Sequence, residues 1–179
     1  MLKLPSFAKI NWTLRVAGRR PDGYHEVATV LQTVSLCDEI TFELRDDAEI
    51  CLTCDDPSIP VDDSNLIVKA ARALSPRLGA GITLVKKIPV KGGLGGGSSN
   101  AAITLMALNA LWRLGLGNTD LKQLGSGLGA DVPFFLSGGT ALATGTGTEV
   151  SPLPDTRECY LLIVTPNASV ATATAYEAL

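Results

Sequence analysis

A chain of 179 residues with 46% hydrophobic and 18% charged side chains holds enough apolar material for a packed core, and too much for disorder. Its formal net charge of −3 excludes the basic field that general affinity for nucleic acid or an anionic membrane requires. No apolar run approaches the roughly 18 residues needed to span a bilayer. The start, MLKLPSFAKINW, has no signal-peptide core, so the expected location is cytoplasmic. The length suits one domain, or one domain and part of a second.

Residues 7–16, FAKINWTLRV, alternate. Ala8, Ile10, Trp12, Leu14 and Val16 take one face, and Lys9, Asn11, Thr13 and Arg15 the other. That is the period of a half-buried strand, with Trp12 in the core and Lys9 and Asn11 solvated. GRRPDGYH, 18–25, is punctuated as a turn and holds the single histidine, His25. Segments 26–36, 38–44 and 48–54 are apolar, β-branched and closely linked, which predicts an antiparallel set. Cys51 and Cys54 form a lone C-x-x-C with no second pair, too few ligands for zinc, so the cysteines read as ordinary thiols.

At 62–74 the period turns helical, with a stripe of Leu66, Ile67, Ala70, Ala71 and Leu74. Asp63 or Ser64 is the expected N-cap, and Pro76 lies beyond the end. GITLVKKI, 81–88, is a strand with Lys86 and Lys87 as a solvated edge pair. PVKGGLGGGSSNAA, 89–102, then opens a helix with no charged side chain from Ser98 to Trp112, the pattern of a buried central helix. A short helix from about Thr119, a glycine-rich turn and strands within 140–150 and 158–166 complete the series. The order predicts an α+β fold, a mixed or antiparallel sheet with helices packed on one face. The last residues, VATATAYEAL, begin a helical pattern without a closing element, which predicts a fragment.

A glycine loop between a strand and a helix puts free amides at a helix N-terminus, where they and the helix dipole favour an anion. Glycine admits positive φ and lets phosphate approach the backbone. Ser98 and Ser99 would add hydroxyls at the mouth. A P-loop needs lysine before its serine, where Gly97 stands, and a Rossmann fingerprint from Gly93 puts Ser98 at its third glycine. The loop alone therefore indicates a phosphate, with a nucleotide as its usual bearer.

The same loop resembles the phosphate loop of the GHMP small-molecule kinases, in the form GLGGGSSNAA found in one branch. AKINWTLRVAGRRPDGYHEV from residue 8, SNLIVKAA at 64–71 and GADVPFFLSGG at 129–139 agree, in the same order. The resemblance implies the GHMP N-terminal fold (ribosomal protein S5 domain 2-like), with residues 1–150 as the ATP-binding and catalytic domain and 151–179 as the start of a truncated substrate-side subdomain. It implies transfer of the γ-phosphate of ATP, with Mg²⁺, to the 2-hydroxyl of 4-diphosphocytidyl-2-C-methyl-D-erythritol.

By the same resemblance Asp131 is the general base and Lys9 its partner. A hydroxyl is a weak nucleophile until a positioned carboxylate takes its proton. Asn65, Lys86, Pro89, Gly92, Gly93, Leu94, Gly95, Gly96, Gly97, Ser98 and Ser99 would hold ATP, and no residue is assigned as a metal ligand. Asn11, Tyr24, His25, Asn100, Thr172 and Tyr176 would hold the acceptor, with Tyr24 and Tyr176 stacking on its base. Lys91 stands where relatives tend to carry glycine or another small residue. The expected partner is a small molecule, without nucleic acid or membrane, on a monomer or weak homodimer. Two alternatives remain open: a GHMP kinase for an acceptor without a base, and a nucleotide-binding module without catalysis.

Overall fold

The sheet is organised by one long hairpin. In the computed structural model, which describes residues 1–165 except Asp22 and Tyr24, β1 (Leu2–Arg19) and β2 (His25–Arg45) pair antiparallel. The two strands expected at 26–36 and 38–44 are thus a single strand. Its interruption is a bulge: Phe7 faces Cys37 while Ala8 faces Val34. A bulge bends a strand without ending it, so a break in the apolar pattern there resembles a turn in sequence.

β2 is central. Residues 39–45 pair with β4 (Gly79–Val85) and residues 29–32 with β5 (Thr140–Thr144). β6 (Glu149–Leu153) continues from β5 as a hairpin. β3 (Ile50–Cys54) departs from the expected antiparallel set: it pairs with β4 alone, in parallel. The helix α1 (Leu66–Leu74) carries the chain back between them, as a parallel pair requires. Residues 158–165, expected to be a strand, take no regular structure.

The alternation of 7–16 does not survive into the fold. Asn11 faces Leu31 and Thr13 faces Val30, so Trp12 is an extra residue in a second bulge. Trp12 is 41% exposed rather than in the core, and Lys9 is buried rather than solvated. Trp112 packs against the main core as expected.

That core joins Ile40, Phe42, Ile82 and Leu84 of the sheet to Ile67, Val68 and Ala71 of α1 and Leu108 of α2 (Gly96–Leu111). Fully burying one such leucine or isoleucine is worth about 1.5–3 kcal/mol. A second cluster joins Ala101, Ala102 and Leu105 of α2 to Leu121 of α3 (Asn118–Leu128) and Val132 of α4 (Val132–Phe135). The N-cap of α1 is Asn65, not Asp63 or Ser64. Its Oδ1 accepts the Ile67 amide at 2.9 Å and its Nδ2 donates to the Pro60 carbonyl at 2.6 Å. Asp62 instead accepts from the Ser64 amide and hydroxyl in the turn just before it.

Candidate active site

The glycine loop joins β4 to α2 through left-handed backbone. Lys91, Gly93 and Gly95 have φ of 60°, 69° and 70°. Gly95 must be glycine for a second reason: a Cβ there would lie 2.7 Å from the Phe135 ring and 3.0 Å from Cγ of Lys9. Gly95 also caps α2 without a side-chain bond. The first helical bond runs from the Ser99 amide to the Gly95 carbonyl at 2.8 Å. The amides of Gly96, Gly97 and Ser98 therefore have no acceptor within the helix. The loop and these residues border a cleft of about 320 Å³, closed on its other side by Ile59, Pro60, Asn65, Leu66 and Leu84. Free amides at one wall and apolar side chains at the other suit an anion attached to a flat, less polar group.

The loop is anchored from below. Asp38, fully buried, accepts from the Lys86 ammonium at 2.9 and 3.1 Å and from the amides of Lys87 and Ile88 at 2.7 and 2.8 Å. Lys86 also donates to the Ile88 carbonyl. Lys86 is thus no solvated edge residue. It borders the cleft while its ammonium is committed to Asp38. The Lys9 amide donates to the Leu94 carbonyl at 2.9 Å, which ties the loop to β1. The buried Ser6 hydroxyl donates to Asn100 Oδ1 at 2.7 Å and is hydrogen-bonded with the Ser99 hydroxyl at 2.8 Å.

Strand register assembles the second half of the site. Lys9 lies opposite Thr33 and Asn11 opposite Leu31, and directly opposed residues share a face. Leu31 packs on Phe134 of α4, and Asp131 is the residue that opens α4. The Lys9 ammonium consequently sits 3.5 Å from Asp131 Oδ2 and donates to Asn11 Oδ1 at 2.8 Å. Asn11 donates to the Thr29 hydroxyl at 2.7 Å, which donates to the Thr13 carbonyl at 2.6 Å. That chain of hydrogen bonds orients the lysine. Asp131 makes no capping bond with its side chain. The two halves meet where the Lys9 amide bonds the Leu94 carbonyl beside Gly95, and a Cβ on Gly129 would lie 3.6 Å from the Ser98 hydroxyl.

Residues 65–139 match the family described as GHMP kinases N terminal domain. A protein of Pseudomonas syringae pv. syringae (strain B728a), named 4-diphosphocytidyl-2-C-methyl-D-erythritol kinase, is 51% identical over 176 residues, 96% of this chain and 62% of that one. The fold is that of a GHMP kinase N-terminal domain. The chain therefore spans less than two thirds of the length of that relative. A crystal structure of 4-(cytidine 5'-diphospho)-2C-methyl-D-erythritol kinase superposes with a TM-score of 0.71 at 39% identity, covering 85% of this chain and 55% of that one. The mevalonate kinase of Methanococcus jannaschii superposes at 0.65 but is 15% identical, covering 85% and 55%, and so speaks for the shared GHMP fold alone.

Within this GHMP fold, Asn65, Lys86, Pro89, the run Gly92–Ser98 and Asn100 border the cleft. Ser99 does not reach the mouth as expected, because helix phase turns it inward onto Ser6. Lys9, Asn11 and Asp131 gather as one cluster. His25 pairs with Arg19 at the far end of the hairpin, about 20 Å along β2 from Leu31 at strand rise. Tyr24, Thr172 and Tyr176 lie outside the described residues. The supports missed in sequence are Asp38, Ser6, Thr29 and Phe135. Only Asp38 carried a signal, an acidic residue inside an apolar strand pattern.

Proposed function

We propose that this chain carries the ATP-binding and catalytic portion of a kinase that transfers the γ-phosphate of ATP to the 2-hydroxyl of 4-diphosphocytidyl-2-C-methyl-D-erythritol, in the non-mevalonate isoprenoid precursor pathway. The observation that carries this reading is Asp131: a carboxylate not used in capping, 3.5 Å from a buried ammonium and adjoining a loop of free amides. In this reading Asp131 takes the proton of the acceptor hydroxyl as the hydroxyl attacks phosphorus. Lys9, fixed by Asn11, orients that carboxylate and offsets the negative charge developing on the acceptor oxygen. The amides of Gly96, Gly97 and Ser98 hold the phosphates, and catalysis is positioning plus charge stabilisation, as phosphoryl transfer requires.

Mg²⁺ fits as a companion of ATP rather than a resident of the protein. Among the described residues no three His, Cys, Asp or Glu side chains cluster into a metal site. Magnesium commonly relies on substrate phosphates with few protein ligands, and the Ser98 hydroxyl and the Asp131 carboxylate would be the groups to assist in holding it. When bound, it would neutralise charge on the phosphates. Residues 1–150 would form the catalytic unit, and 151–179 would begin the substrate-side subdomain. His25, with Tyr24, Thr172 and Tyr176, would recognise the cytidine end. Among the described residues no helix is long and apolar enough to cross a membrane, and a cytoplasmic location with a small-molecule partner belongs to the same proposal.

The test is ADP release from Mg·ATP with and without 4-diphosphocytidyl-2-C-methyl-D-erythritol. Acceptor-dependent release that is abolished in Asp131→Asn is the expected result. Release that depends equally on mevalonate or homoserine, with no competition by cytidine diphosphate, would overturn the choice of acceptor.

A further inference from the structure

Among the described residues, two lysines border the cleft, Lys86 and Lys91. The Lys86 ammonium is held by both oxygens of Asp38 and by the Ile88 carbonyl, so its charge is already neutralised where it stands. Lys91 is exposed, and among the described residues its ammonium has no ion-pair or hydrogen-bond partner. Its backbone adopts φ 60°, a conformation that glycine takes without strain and a lysine does not. The strain serves no packing purpose visible in the fold, because the side chain is not buried. Strained residues that persist at a ligand loop point to a role for the side chain.

Resting on the reading of this cleft as an ATP site, we infer that Lys91, a free cation at the cleft among the described residues, contacts the phosphates of the bound nucleotide. It adds to the neutral glycine loop a positive charge that Lys86 cannot give. The contact is formed by a long, exposed side chain, so its contribution is modest and screened by salt. The loop amides still supply the main cradle, and Lys91 tunes affinity for charge: triphosphate above diphosphate, and both above the bare nucleoside.

The experiment measures binding of ATP, ADP and adenosine to the parent chain, Lys91→Gly, Lys91→Met and Lys91→Arg at low and high salt, with a melting curve for each. Lys91→Gly and Lys91→Met should weaken ATP by about three- to tenfold at low salt. They should weaken ADP less, leave adenosine unchanged, and lose most of the difference at high salt. Lys91→Arg should bind ATP like the parent. Lys91→Gly should melt no lower than the parent, which separates lost charge from damaged loop. ATP affinity unchanged or improved in Lys91→Gly would overturn the inference and make Lys91 an obstruction. Equal losses for ATP and adenosine would also overturn it. Failure of the parent itself to bind ATP would instead sink the reading of the cleft.

Discussion

Lys9 and Lys86 are buried to the same degree, 8% exposed at the side chain, and each faces an aspartate. They are nevertheless put to opposite uses. Asp38 is fully buried, 2.9 Å from Lys86, and also accepts from two backbone amides. Asp131 is 35% exposed, stands 3.5 Å from Lys9 and bonds nothing in its own turn. A carboxylate whose lone pairs are already taken is a staple. One that keeps a free oxygen toward solvent can still accept a proton. The identity of the ion pair does not distinguish the two; the number of other donors on the carboxylate does.

That contrast breaks most sharply at Asp131. Asp131→Asn should lower kcat by about 10²–10⁴-fold, the usual worth of a positioned base, while ATP binding and the melting temperature hold. Turnover surviving in that variant would reduce Asp131 to a second staple. Asp38→Ala should show the reverse pattern. It leaves a buried ammonium unpaired, and urea unfolding should report a loss of about 3–5 kcal/mol. Adding Lys86→Met should restore part of it, since the amides of Lys87 and Ile88 remain without their acceptor.

Gly95→Ala tests the point where the two sites meet. The left-handed backbone and the 2.7 Å approach to Phe135 should together cost about 2–3 kcal/mol. Because the new methyl also presses on Lys9, turnover should fall further than ATP affinity. Equal losses would mean that the loop and the Lys9–Asp131 pair are not mechanically joined.

The smallest effect concerns an exposed carboxylate bonded only within its turn. The Ser64 hydroxyl and amide hold the Asp62 carboxyl below its usual range. A depressed folded value means stability that is complete above the ordinary pKa of about 3.9 and lost as pH falls through the folded one. Melting curves between pH 5 and pH 2 should therefore fall less steeply for Asp62→Ala than for the parent. An unchanged slope would show that this turn contributes nothing to the helix that begins at Leu66.

Much of this was legible beforehand, and the exceptions share a cause. The glycine loop, the α1 stripe and the buried α2 were readable because each depends on neighbours within a turn or two of chain. The helix cap moved from Asp63 or Ser64 to Asn65, a shift of one or two residues that propensity does not resolve. The larger errors came from bulges. Residues 26–44 were divided because a bulge near Cys37 breaks the pattern, and Trp12 was assigned to the core because the bulge at Trp12 reverses the faces beyond it. A period-2 argument holds only while the register is regular.

The sequence by itself determined that the chain folds as an α+β domain, that it presents backbone amides to an anion at the start of an uncharged helix, and that its motifs resemble those of the GHMP kinases. These follow from local composition and from motif order. Only the tertiary structure decided which lysine is spent and which is available, because local sequence does not name the partner of Lys9, Lys86 or Lys91. What separates them is the partner that distant elements deliver: Asp131 at the start of α4, Asp38 beneath the loop, and, among the described residues, none for Lys91. Charge pairing in a fold is set by contacts between residues far apart in sequence, and those exist only once the strands have found their register.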